Sequence, residues 1–289
     1  MSSIPATSGL SAGESLLVRD AGFEPAGLVM GSAVYSTGLR GRYPEAVSVA
    51  HLTGSYFRTL FAGLPAEGGE VDFLSRAVHS ARASALVRLE EDARGLGADG
   101  VIGVRAEVSW DSWAHGALEC VLTGTAVRRI GAPGDLAGSG SGNGPGSAPG
   151  GSGADGSADR RPFTCGLSGG EFWALLRAGY RVRGFVMGYC AWAVEGEYSV
   201  STRELPSVTR AVYRARERTM DQIRSQAGKL RAKGIVGVRL DGLDGLSQLP
   251  EGRILEFRAT GTAIVPDPGA APADPPPTDP PVMVLPVGG

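Results

Sequence analysis

Apolar residues recur at helical spacing along two long stretches of the chain. In the first, Leu74, Ala77, Val78, Ala81, Ala85, Leu89, Ala93 and Leu96 form one stripe. In the second, Val208, Ala211, Val212, Ala215, Thr219, Ile223, Ala227 and Leu230 take the same phase. A 3.6-residue period predicts an amphipathic helix, here with a face of small apolar residues and Arg and Glu opposite. Each stripe ends in a Gly-containing stop and gives way to a β-branched run, "GVIGVRAEV" or "GIVGVRL". After a turn-rich segment a second strand is expected, in "ALECVLTGTAV" or "RILEFRATGTAI". An earlier strand starts at "GLVMG" or "GFVMG". Ser11 with Glu14, and Ser168 with Glu171, have the capping-box spacing that opens a short helix. Asp72 is the expected cap of the first long helix, and Pro206 suits the first turn of the second. Each unit therefore reads helix, strand, long helix, strand, strand. The prediction is an α+β fold of two homologous small domains, each a β-sheet packed on one long amphipathic helix.

The two units match in order. "LSAGE", "AGF" and "GLVMG" return as "LSGGE", "AGY" and "GFVMG", all at a shift of 157 residues. "AVHSAR" and "VIGVR" return as "AVYRAR" and "IVGVR" at a shift of 134, and "TGTAV" returns as "TGTAI" at 137. Constant order with shifts that change only between blocks is the mark of a duplication with insertions and deletions. The first repeat is expected over residues 10–131 and the second, shortened, over 163–265. Between them, 132–162 collapses to Gly, Ser, Ala, Pro and Asp and predicts a disordered linker. The Pro-rich end, 266–289, is expected to be a disordered tail. Its "VMVLPV" cluster, Val282–Val287, suits a docking peptide carried on a stiff spacer.

"GADGVIGV" places Gly97, Gly100 and Gly103 at a spacing that suggests a phosphate loop. Such a loop needs strand, glycines, then helix, so that N-terminal amides face the phosphate. Here the order is helix, glycines, strand. Gly97 and Gly100 are expected at a helix end and turn, and Gly103 and Gly237 at a bulge or close approach within strands.

The chain has 289 residues and a formal net charge of −2, from 28 basic and 30 acidic residues. That balance gives no electrostatic footprint for nucleic acid or an anionic membrane. Cys120, Cys165 and Cys190 are too few and too widely spaced for a disulfide framework. The N-terminal stretch lacks a signal-peptide pattern, and no apolar run approaches the roughly 20 residues of a membrane span. The expectation is a cytoplasmic protein.

Several of these segments resemble the YbjQ-type "heavy-metal-binding domain" family: "SYFRTLFAGL" (Ser55–Leu64), Gly68-Gly69, "LGADGVIGV" (Leu96–Val104) and "VLTGTAV" (Val121–Val127). The likeness covers about 25–130 well and 165–265 more weakly, through "KGIVGVR" and "TGTAI". The second repeat lacks 23 residues that include the FAGL block. The first carries an unfamiliar "STGLRGRYPEAVSVAHLTG". The resemblance implies a small bacterial α+β module that assembles into rings, pentameric in members of known structure.

The chemistry-bearing residues are sparse. His51, His79 and His115 form no HxxxH or HxH pair, and His115 with Cys120 is the nearest soft-metal combination. The duplication tests these candidates. Cys120 corresponds to Phe257, Cys190 to Ala33 and His79 to Tyr213, so packing residues stand where a ligand set would be repeated. No catalytic, cofactor-binding or metal-ligating residue is assigned, and no cofactor is expected. Glu90, Glu91 and Asp92 beside Arg88 and Arg94 fit a solvated helix face. The polar residues common to both units are Arg76/Arg210, Arg82/Arg216, Arg105/Arg239 and Glu119/Glu256. They fit either a repeated Arg–carboxylate interface contact or surface pairing worth a few tenths of a kcal/mol. Trp110 and Trp113 flank the first hairpin turn, where they suit either an interface anchor or a cap on the edge of the core. The expected function is a non-enzymatic, homo-oligomeric, ring-like assembly or scaffold protein. A metal or small-ligand binder is the alternative. The tail reads either as a docking peptide for a protein partner or as a frayed end that tolerates any composition.

Overall fold

The computed structural model describes residues 7–36, 68–111, 117–131, 161–195, 202–243 and 252–268. The FAGL block, His51, Trp113, His115, nearly all of the expected linker and the tail beyond residue 268 lie outside them.

The described residues form α1 (Ala12–Asp20), β1 (Phe23–Ser36), β2 (Gly69–Glu70), α2 (Asp72–Gly95), β3 (Gly100–Asp111) and β4 (Ala117–Arg129). Then follow β5 (Phe163–Thr164), α3 (Gly169–Arg177), β6 (Tyr180–Glu195), α4 (Pro206–Lys229), β7 (Gly234–Leu243) and β8 (Gly252–Pro266). The fold is α+β, with helix, strand, long helix, strand, strand in each half. Two short strands go beyond that reading. The four-stranded sheets run β1-β4-β3-β5 and β2-β6-β8-β7. β5 lies parallel to β3, and β2 antiparallel to β6, so each sheet takes one strand from the other half of the chain.

Local chemistry repeats with the sequence. Ser11 and Ser168 each accept the N–H of the Glu three residues on, and that Glu caps the serine N–H in return. Gly103 and Gly237 take positive φ, 65° and 60°, where β3 and β7 slip register against their partners. A glycine there avoids the Cβ strain of left-handed backbone. Two expectations need correction. Val71, with no side-chain cap, is the N-cap of α2, and Asp72 is its first residue, where a carboxylate meets the helix dipole. Gly100 opens β3, and a Cβ there would meet the Phe163 ring at 2.3 Å, so close approach rather than a turn calls for glycine.

The α2 stripe is buried at Leu74, Ala77, Val78, Ala81, Ala85, Leu89 and Ala93; the α4 stripe is buried at Ala211, Ala215, Thr219, Ile223 and Ala227, with Val208, Val212 and Leu230 only half-buried. Leu96 instead sits at the C-cap, exposed. α2 packs on β1 and β4, and α4 on β6 and β8. Alanines and glycines let each helix come close, with Gly31 against the Ala85 carbonyl and Gly188 against that of Thr219. The helices also close the outer rims of the sheets. Met30 N–H donates to Asp92, and Arg88 donates to the Ser32 carbonyl. At the matching places Met187 exchanges two bonds with the Gln226 amide, and Tyr189 N–H donates to Gln222. The charged face expected at Arg88 and Asp92 thus covers a strand edge, which would otherwise invite pairing with another chain.

Candidate functional site

The most extensive built surface is the contact between the two halves. β6 turns Val186, Gly188 and Cys190 toward α4. Its other face, Phe185, Met187, Tyr189, Ala191 and Ala193, joins one core cluster with α2, β3 and β4. Val71 N–H donates to Ala191 O at 2.8 Å, and Ala191 N–H donates to Ser75 Oγ at 3.3 Å. Segment 163–167 lies along β3: Cys165 N–H donates to Val101 O, and Gly103 and Val104 N–H donate to Leu167 O and Cys165 O, at 2.8–2.9 Å. Phe23 meets Phe163 and Phe172 edge-on at 6.0 and 5.4 Å, and Trp173 Nε1 donates to Asp20 at 2.7 Å. The Arg218–Glu70 ion pair, 2.8 Å, closes the same seam beside β2. β2 and β5 are too short for the period-2 pattern that marks a strand in sequence.

Among the described residues, the first sheet has no such cover on the equivalent face. Leu28, Met30 and Val34 are 54%, 57% and 48% exposed, whereas their repeat counterparts Phe185, Met187 and Ala191 are 4%, 1% and 0%. Ser32 in this row donates to Glu119 at 2.8 Å. Its counterpart Tyr189 donates to the buried Glu256 at 2.7 Å, where burial and then the Glu256 charge push the phenol pKa upward. The Glu119/Glu256 pair thus holds a hydroxyl in both halves.

The shared arginines split. Arg105 and Arg239 line a cleft of about 230 Å³ with Glu107, Asp241 and Arg258, in which Arg258 pairs with Asp241 at 3.0 Å. Arg105 also lowers the pKa of Glu14, as Arg239 does that of Glu171, each behind the larger effect of the capping serine. Arg82 is largely buried, which pulls its guanidinium pKa down. Arg76 and Arg210 lie exposed on their helices.

The cysteines are free and fully buried. Burial raises Cys120 to about 11, and Cys165 and Cys190 to about 12, so none is a ready thiolate at neutral pH. Ala33 pairs with Cys120 across β1–β4, and Cys190 with Phe257 across β6–β8, so the sulfur changes sides at one packing position. Among the described residues no group of three or more His, Cys, Asp or Glu is placed to hold a metal ion. His79 borders a groove with Arg218, Gln222 and Gln226. Burial and then the Arg82 charge lower its pKa. Among the described residues no helix is long and apolar enough to cross a membrane.

Comparison with known proteins adds three findings. The model of a family described as "Putative heavy-metal-binding" (YbjQ_1) matches residues 43–129. The chain is 32% identical over 272 residues to an encapsulin nanocompartment protein of Mycobacterium tuberculosis, covering 89% of this chain and 85% of that protein. It is 38% identical over 88 residues to a UPF0145 protein of Pseudomonas fluorescens, covering 30% of this chain and 83% of the relative.

Proposed function

The chain belongs to the YbjQ-type (UPF0145) family, as a tandem of two such units, and on that premise we propose that it is a non-enzymatic assembly protein forming a ring-like homo-oligomer. Its parts in this reading are the repeats at 10–131 and 163–265, the linker at 132–162 and the tail at 266–289, in a cytoplasmic setting. The observation that carries it is the outward face of the first sheet. Leu28, Met30 and Val34 stand in water there, while the same face of the second sheet is sealed in the core. A row of large apolar side chains on one sheet face marks a binding surface. The name of the mycobacterial relative supports work within a protein compartment. The tail cluster Val282–Val287 is the segment proposed to dock on a protein partner.

Light scattering on the full chain at micromolar concentration tests the reading. A mass several times 29.7 kDa is expected, and a mass equal to it overturns the assembly role. The alternative, a metal or small-ligand binder, draws on the family description. Stoichiometric zinc or copper in freshly purified protein, lost in a His115→Ala/Cys120→Ala variant, would favour it.

A further inference from the structure

We propose that a second copy of this chain docks head to tail by repeating the contact its two halves already make, seating the β1 face of one copy on α4 and β7 of the next. This rests on the homo-oligomeric reading above and names its surface.

Within the chain the contact is directional. The second half supplies the β6 face and segment 163–167, and the first half supplies α2 and the β3 edge. Carried over by the repeat, one complementary set on each half stays uncovered among the described residues. On the first it is the β1 face with Ser8–Leu10. On the second it is α4 with β7, where Val238 and Leu240 stand 39% and 42% exposed. Their counterparts are Val104, 4% exposed in the shared core, and the partly buried Ala106.

The polar groups of these two sets also match. Thr209 keeps a hydroxyl where Ser75 accepts the Ala191 N–H, and Leu205 keeps an N–H where Val71 donates to the Ala191 carbonyl. Both bonds can be remade on Val34 of an incoming copy. Ser8–Leu10 is laid down as its counterpart is: Gly9 N–H donates to Thr125 Oγ1 at 3.1 Å, and Gly166 N–H to Thr262 Oγ1 at 3.0 Å. Gly237 and Val238 lie on β7, an edge strand among the described residues. Leu10 and Ser8 carry the carbonyls that correspond to those taken by Gly103 and Val104. Two positions depart from the internal template. Thr202 stands at the place of Gly68 and Ala12 at that of Gly169, and both glycines are pressed against their neighbours. Copies therefore cannot approach at those points as closely as the halves do. A heterologous contact does not close on two chains, so copies add in one direction and form a ring where the rotation between them closes.

The test uses full-length chains carrying Leu28→Glu/Met30→Glu or Val238→Glu/Leu240→Glu, with sedimentation velocity as the readout and circular dichroism as the check on folding. Each variant alone sediments as a single chain, its self-association weakened about 100-fold, or about 2.7 kcal/mol. An equimolar mixture forms a two-chain species, because each variant keeps the surface the other lacks, which also shows that both fold. If neither variant alters a wild-type oligomer, assembly stands and this surface is wrong. If only the β1 variant dissociates and the mixture gives no pair, the contact is face to face and the proposal falls. A monomeric wild-type chain removes the assembly reading itself.

Discussion

Replacing Gly31 with alanine is expected to cost the chain about 2–3 kcal/mol of stability. A Cβ at this position would lie 2.0 Å from the Ala85 carbonyl oxygen and 2.5 Å from the Leu89 nitrogen. Both are backbone atoms of α2, so no side chain can rotate out of the way. Ordinary contact begins near 3.4 Å, and the helix has to retreat by more than an ångström to reach it. A gap of about 0.5–1 Å already forfeits a quarter to a half of the dispersion energy between facing atoms. Ala81, Ala85, Leu89 and Ala93, all fully buried, share that layer. Overpacking typically costs about 1–3 kcal/mol, and a backbone clash belongs at or above the upper end. Against this, alanine restricts the unfolded chain and returns about 0.4–1 kcal/mol. Urea unfolding followed by circular dichroism reads the net effect. With a slope of about 2 kcal/mol/M, the midpoint should fall by roughly 1–1.5 M. Gly13→Ala, where a Cβ meets nothing within 4 Å, is the control and should be neutral or slightly stabilising. A loss below about 1 kcal/mol for Gly31→Ala, or equal effects at the two sites, would refute the reasoning.

Other consequences are open to measurement. The native protein at pH 8 should leave all three thiols unmodified by a thiol-reactive dye, because Cys120, Cys165 and Cys190 titrate near 11–12 and have no surface; denaturant should release all three. His79 is held below its ordinary pKa, so folding favours the neutral ring. Its contribution is complete above the unfolded value near 6.5 and is lost as pH falls through the folded one, so the melting temperature of His79→Gln should drop less between pH 7 and 5 than that of the wild type. Deleting residues 269–289 should leave the melting temperature of the core unchanged; a drop of several degrees would show that the tail packs on it.

Element type and order were legible because the helical stripes and β-branched runs each have one strong period, repeated twice. The capping boxes and the bulge glycines were legible for a related reason, since each is a short-range device with its own residue signature. What stayed hidden is relational. Nothing local in Gly69–Glu70 or Phe163–Thr164 states that each pairs with the opposite sheet. Arg88 and Asp92 read as solvated charges because a strand edge has no marker in sequence. The packing role of Cys120 and Cys190 was legible only through the duplication, which exchanges each for Phe257 or Ala33. The exposed face of β1 is written in the same apolar alternation as the buried one of β6. Only the structure separates a face already covered from one still open.

The side-chain closure of the sheet rims bears on how the protein survives in solution. In the second half the rim is sealed by the neutral amides of Gln222 and Gln226, and in the first by the charged ends of Arg88 and Asp92. Exposed charged groups lose little by returning to water, whereas an amide matched to both a donor and an acceptor has no such refuge. Under stress the first rim should therefore open before the second. It would bare the backbone of β1 around Val29, Met30, Val34 and Tyr35, an open edge that can template the stacked strands of amyloid. Resistance to fibril growth then depends less on the core than on one guanidinium and one carboxylate holding a helix over a strand.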